Sequence, residues 1–311
     1  MSGIPIWMDC DTGTDDAVAL MVAHVLPEVD IKGISTVCGN TTQENAFYNT
    51  HRINGLMGTH YPIYRGAEQP LIVPLFTAAH VHGENGLGDV VLPVPEDAVI
   101  ESEPAWDALY RCACEYPGEL RLITTGPLTN IATAYAKYPD LPKLLHSHVA
   151  MGGSAGAGND TPAAEFNFYV DPHAAEIVLH SGVQFVMCGL TVTTKAFFTL
   201  DELNEIADSG TRAGVFVRDC NMRAHKILSK FGLTGFCMHD SCPVVYVAHP
   251  EYFKGEMAGV VVETRGTITN GKSVTDLYSD RGFDFKNAFV VTDIDGKRFL
   301  DTVRECILAI G

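Results

Sequence analysis

The sequence predicts an α/β fold: a single domain with a mostly parallel central sheet flanked by helices. Three observations predict it. Short apolar runs alternate with longer amphipathic stretches along the chain. Turn residues separate each run from the helical spacing after it, the pattern of βαβ units with right-handed crossovers. No Pro/Ser-rich linker, low-complexity tract or fixed-period repeat divides the 311 residues, so one domain is expected over 1–311.

The elements follow in order. Ile4 to Met8 is an apolar run that stops at Asp9. Thr12-Gly13-Thr14 turns the chain, and Ala17, Val18, Leu20, Met21 and Val25 then keep helical spacing. A strand near Ile31 to Val37, a Gly39-Asn40 turn and a helix from Thr42 to Met57 repeat the plan. Leu120 to Thr124 reads as a strand with a helix after Pro127, and Val149 to Met151 as a strand running into Gly152-Gly153. Ala174 to Leu179 is helical in pattern and Phe185 to Cys188 strand-like. Leu200 to Leu233 is largely helical and is expected to form a flap beside the sheet. Gly259 to Val262 and Ala288 to Val291 read as strands, and a last helix surrounds Arg298 to Leu308.

Composition narrows the function. The chain is 46% hydrophobic, enough for a sizeable core. Its formal net charge of −17 repels phosphate backbones and anionic lipid, which argues against nucleic-acid and membrane partners. No apolar run reaches the roughly 18 residues of a membrane span. Nine cysteines without a C-x-x-C pair suit reduced, buried thiols in a cytoplasmic protein. The acids near the N-terminus speak against an ordinary signal peptide.

Chemistry gathers in three places. Asp9-Cys10-Asp11-Thr12-Gly13-Thr14-Asp15-Asp16 puts four carboxylates at the end of a strand. Like charges that close are unfavourable unless something positive lies among them, and a hard divalent cation meets that need. Strand alternation would place Asp9 and Asp11 on one side, with Asp15 and Asp16 at the positive end of the next helix. The second place is the stretch Asn159 to Asn167, after the glycine-rich run from Gly152 to Gly158: the Asn and Glu side chains, Asn159, Glu165 and Asn167, suit a polyhydroxylated ligand. The third is His239-Asp240, able to supply an acid and a metal ligand to one site. Thr124-Thr125-Gly126-Pro127 closes a strand and could offer backbone carbonyls to a cation. His80 and His82, read as one side of an extended segment, could mimic a zinc site, but no H-E-x-x-H or C-x-x-C partner supports one. In open α/β sheets, ligands lie outside the carboxyl ends of the strands, where these stretches could converge.

At this point the chain resembles a known family. Asp9-Cys10-Asp11-x-Gly13-x-Asp15-Asp16, Gly39-Asn40, Val81-His82-Gly83-Glu84, Thr125-Gly126-Pro127-Leu128-Thr129-Asn130 and Met151-Gly152-Gly153 are similar to motifs of the inosine-uridine preferring nucleoside hydrolases. Glu165-Phe166-Asn167, Asp171-Pro172 and His239-Asp240 extend the likeness, in order, over about residues 4 to 250. The runs Met151 to Gly158 and Val186 to Leu190 look most like the bacterial branch of broad purine-and-pyrimidine specificity.

The resemblance implies a Rossmann-like nucleoside hydrolase fold and hydrolysis of ribonucleosides to ribose and free base. It implies Ca²⁺ held by Asp11, Asp16, Asp240 and the Thr125 carbonyl, with Asp11 also the general base. It places Asp15, Asn40, Asn159, Glu165 and Asn167 on the ribose hydroxyls. His239 would be the general acid to the leaving base, with His82, Phe166 and Met151 nearby. A homodimer or homotetramer is implied as well. The chain departs from the family in three places. Thr191, not Asp, follows Leu190; Phe285-Lys286-Asn287 replaces a common Pro-Ala-Asn; and Phe231 is expected where a flap Tyr often sits near the base.

Two rivals use the same residues. A haloacid-dehalogenase-like phosphatase also begins with a strand and Asp-x-Asp, but expects Thr or Val where Gly13 stands. A non-catalytic nucleoside- or sugar-binding protein could use Asn159, Glu165 and Asn167 without Asp11 or His239.

Overall fold

The first strand shows why the sheet is central. In the computed structural model, which describes residues 3–232, 234–278 and 282–311 (the side chains of 228 and 231 excepted), β1 spans Ile4–Cys10 and is buried from Ile6 onward. A strand covered on both faces needs apolar residues at successive positions, so it reads as a continuous run. Ile6, Met8 and Cys10 join the hydrophobic cluster on one face of the sheet, and Trp7 joins the cluster on the other.

The remaining strands are β2 (Val29–Thr36), β3 (Ile63–Arg65), β4 (Arg121–Thr124), β5 (Ser147–Ala150), β6 (Phe185–Met187), β7 (Phe197–Phe198), β8 (Phe236–Cys237), β9 (Phe253–Val262), β10 (Ser273–Asp276) and β11 (Ala288–Ile294). Among the described residues nine of them form one sheet in the order β10-β9-β11-β6-β5-β4-β1-β2-β3. From β3 to β11 neighbouring strands run parallel; β9 and β10 add an antiparallel edge. β7 and β8 form a separate two-stranded ribbon.

Helices cover both faces: α1 (Thr14–Val25), α2 (Gln43–Met57), α3 (Ala79–His82), α4 (Ala105–Glu115), α5 (Thr129–Lys137), α6 (Leu141–Leu144), α7 (Phe166–Val170), α8 (Pro172–Leu179), α9 (Leu190–Thr193), α10 (Leu200–Asp208), α11 (Arg212–Leu228), α12 (Ser241–Ala248) and α13 (Gly296–Leu308). Their ends follow local chemistry. Thr42 caps α2 by accepting from the Asn45 amide, and Gly58 ends it at a left-handed φ of 69°. Thr199 and Glu202 form a reciprocal capping box on α10. The α10–α11 hairpin is the expected flap, and Asn221 and Ala224 of α11 reach the cleft described below.

The predicted fold class matches this architecture, with differences at the periphery. β3 and β10 are short edge strands that carry too few residues for an alternation signal. The histidine segment expected to be extended is the helical turn α3. In a helix, residues two apart point in different directions rather than to one side as in a strand, although both His80 and His82 line the cleft described below. β1 ends at Cys10, so strand alternation does not carry through to Asp11.

Candidate active site

Sheet order fixes where the site lies. β1 leads through α1 and β2 toward one edge, whereas β4, on its other side, leads toward the opposite edge. Chain ends diverge at such a switch point and leave a crevice. The segments after β1, β2, β4 and β5 carry Asp11 to Asp16, Gly39-Asn40, Thr125 and Met151 into it.

The floor is acidic and packed. Asp11 and Asp16 are fully buried. The Asn40 amide N–H donates to Asp11 Oδ2 at 2.6 Å, and Asn40 Nδ2 lies 3.1 Å from both Asp11 Oδ1 and Asp16 Oδ2. Asp16 also accepts from the Gly13 amide at 2.8 Å, which caps α1, and from the Thr125 hydroxyl at 2.6 Å. No larger residue fits at Gly39, where a Cβ would strike the Asp11 carboxylate; a Cβ at Gly126 would lie 2.9 Å from the Asp11 side chain. Carboxylate oxygens of Asp15, Asp16 and Asp240 all lie within 4.8 Å of one another. Asp15, placed on the ribose by resemblance, therefore stands beside two of the expected metal ligands, while Asp11 joins them through Asn40.

Burial raises Asp11, Asp16 and Asp240 first, and repulsion from neighbouring carboxylates adds to it. Asp16 is pushed up to about 6 by burial and then by Asp15. Asp11 rises well above the usual range from burial and from Asp16, and Asp240 from burial and from Asp15. Asp15 Oδ1 is buried without a hydrogen-bond partner among the described residues. No Lys or Arg forms an ion pair with this group among the described residues. Clustered carboxylates, an unpartnered oxygen and no protein counter-charge fit a hard cation with oxygen ligands. Asp9 is separate: its carboxylate is held by Ser35 and by Asn130 Nδ2, and burial pushes it up to about 7.

Above the floor opens a cleft of about 580 Å³. Asp15, Asn40, His82, Thr125, Met151, Asn159, Glu165, Phe166, Asn167, His239 and Asp240 line it; Asp11 and Asp16 lie beneath. Glu165 caps α7 and accepts from the amides of Gly153, Asn167 and Phe168; burial nevertheless pushes it up to about 7. Asn167 Nδ2 donates to the Thr125 carbonyl at 2.8 Å and the Met151 carbonyl at 3.1 Å, which ties the ends of β4 and β5 together. Asn159 is exposed, and its Oδ1 accepts from the Phe166 amide at 3.0 Å. His239 and His82 both line the cleft, and burial pulls both below the usual histidine range.

Sequence reasoning missed part of the lining. Asn221, Thr234 and Phe236 also face the cleft, and Thr193 bonds His239 from behind; His80 and Asp160, each inside a motif the sequence singled out, line it too. Thr14 carried a signal, since it stands inside the acidic motif, but it reads there as a turn residue; in the fold it contacts His82 Nδ1. Thr191, where the family often has Asp, accepts from the Ala155 amide at 2.9 Å and so anchors the glycine-rich loop. The Phe231 side chain lies outside the described residues.

Comparison with known proteins agrees with this arrangement. The family model described as inosine-uridine preferring nucleoside hydrolase matches residues 6–301. The pyrimidine-specific ribonucleoside hydrolase RihA of Citrobacter koseri is 39% identical over 306 residues, 97% of each chain. RihA of Photobacterium profundum is 40% identical over 307 residues, again 97% of each. Among solved structures, the purine-preferring ribonucleoside hydrolase from Gardnerella vaginalis has a TM-score of 0.91 at 30% identity, covering 98% of both chains. A plant nucleoside hydrolase has a TM-score of 0.92 at 26% identity, covering 98% of this chain and 99% of that one. Sheet order, acidic floor and near-complete coverage lead to one assignment: the chain belongs to the inosine-uridine preferring nucleoside hydrolase family.

Proposed function

We propose that the protein hydrolyses the N-glycosidic bond of ribonucleosides to ribose and free base, with pyrimidine ribonucleosides preferred, in nucleoside salvage or catabolism. One observation carries the reading: a single cleft joins a carboxylate floor, a belt of Asn and Glu side chains suited to ribose hydroxyls, and the histidines His82 and His239. The pyrimidine preference is supported by the names of relatives 38–40% identical to this chain.

Breaking the bond between C1′ and the base nitrogen builds positive charge on the ribose. Asp15 and Glu165 on the cleft wall, with Asp16 below, are negative groups fixed where that charge develops. Asp11 takes the proton of the attacking water, and its carboxylate is oriented by the two Asn40 donors. Asp15, Asn40, Asn159, Glu165 and Asn167 hold the ribose hydroxyls. His239 hydrogen-bonds the leaving base, with His82, Phe166 and Met151 beside it.

The donor set suits Ca²⁺, which accepts carboxylates together with a backbone carbonyl. Asp11, Asp16, Asp240 and the Thr125 carbonyl would hold it, with Asp15 in reach. When bound, such an ion supplies Lewis acidity that makes water easier to deprotonate. The same proposal includes a cytoplasmic homodimer or homotetramer. Nine free thiols, most of them buried, support a reducing compartment, and the oligomer rests on the family resemblance. No helix among the described residues is long and apolar enough to cross a membrane.

The test is a panel of ribonucleosides with free base and ribose followed by chromatography. Uridine and cytidine should be cleaved faster than inosine, and 2′-deoxyribonucleosides slowly. No free base from any ribonucleoside would overturn the reading.

A further inference from the structure

The hydrogens on His239 and His82, two of the histidines that line the cleft, can be assigned from their partners. His239 Nδ1 lies 2.7 Å from the Thr193 hydroxyl. Thr193 is 1% exposed, does not line the cleft, and makes no other side-chain hydrogen bond among the described residues. A hydroxyl either donates or accepts. If it accepted from an Nδ1–H, its own hydrogen would be buried without a partner, which is unfavourable. Donating to a bare Nδ1 satisfies both groups. The ring hydrogen then sits on Nε2, the nitrogen that Thr193 leaves free for the cleft.

His82 follows the same logic independently. The Thr14 amide N–H, which can only donate, lies 3.4 Å from His82 Nδ1, and the Thr14 hydroxyl lies 3.2 Å from it. A bare Nδ1 is again required, and the hydrogen is on Nε2.

We infer that Thr193 is a positioning residue, whose hydroxyl holds His239 as the Nε2–H tautomer and so presents a donor, not an acceptor, to the departing base. This rests on the ribonucleoside reading above. A ring with its hydrogen on Nδ1 would turn a lone pair toward a base that is gaining negative charge. With Thr193 in place the N–H meets an acceptor near the scissile bond: the O2 carbonyl of a pyrimidine, or N3 or N7 of a purine. That hydrogen bond strengthens as the electron pair of the C1′–N bond moves onto the base.

Thr193→Val keeps the side-chain shape and removes the hydroxyl; Thr193→Ser restores it. With uridine, the Val variant should lose about 10–100-fold in kcat with KM little changed. The Ser variant should recover most of the rate. A p-nitrophenyl riboside separates positioning from damage, because its leaving group departs as a stable anion and needs no donor. The Val variant should cleave it at the wild-type rate. Equal losses on both substrates, or wild-type kcat on uridine, would overturn the inference. Long-range ¹H–¹⁵N correlations in the histidine-labelled full chain, assigned with His239→Gln, read the tautomer without reference to activity. An unprotonated Nδ1 on His239 is expected, and a protonated one overturns the assignment. The expected tautomer in a wild-type protein that releases no base would support the assignment and sink the ribonucleoside reading alone.

Discussion

Two fully buried aspartates, Asp11 and Asp16, share one amide donor from Asn40, and this sharing shapes the site at the residue scale. Among the described residues neither carboxylate has a basic side chain to offset its burial, and each is held by backbone, amide and hydroxyl donors. Asp11→Ala should lower kcat on uridine by at least about 10²-fold, the usual worth of a positioned general base. Near-wild-type base release by a folded variant would remove Asp11 from that role. The acidic motif was legible in the sequence because four carboxylates within eight residues exceed what a helix cap requires. Thr193 was not legible. Its partner, His239, is 46 residues away, and a lone threonine on a short helix gives no local sign of such a contact.

At the scale of elements, strands covered on both faces read clearly. β1 and β6 carry runs of successive apolar residues and β2, β4 and β5 carry shorter apolar stretches, and each of the five ends where a loop enters the cleft. The edge strands β3 and β10 gave no such signal, since pairing with one neighbour, rather than burial on two faces, defines them. The α3 turn misled because two histidines spaced by one residue mimic strand alternation, whereas the local backbone bonds are helical. Capping sets the flap. Thr199 accepts from the Glu202 amide, and Glu202 accepts in return from the Thr199 amide at 2.8 Å. Thr199→Ala should reduce unfolding stability by about 0.5–2 kcal/mol. A lowered urea midpoint with an unchanged slope is the expected measurement. An unchanged midpoint would show that α10 is held by packing alone.

For the whole molecule, pH links burial to stability. His148 is fully buried in β5, one nitrogen bonded to the Thr124 hydroxyl and the other without a partner. Burial drops it from its ordinary value of 6.5 to about 3. Between those values the unfolded chain takes up a proton that the folded chain refuses. Stability from this residue is therefore complete above about pH 6.5 and declines as pH falls toward about 3. Comparing wild type with His148→Gln isolates the effect from the acidic cluster. The stability difference between the two should shift in favour of the variant as the pH is lowered through that window. A difference that does not change with pH would contradict a neutral, desolvated His148.

Carboxylates remote in sequence, Asp11, Asp16 and Asp240, are proposed to gather around one divalent cation on which ribonucleoside cleavage depends. Uracil release from uridine, followed before chelation, after removal of bound metal and after addition of Ca²⁺, tests it most directly. Turnover, then loss, then recovery is the expected sequence. Undiminished turnover by the verified metal-free protein would contradict it.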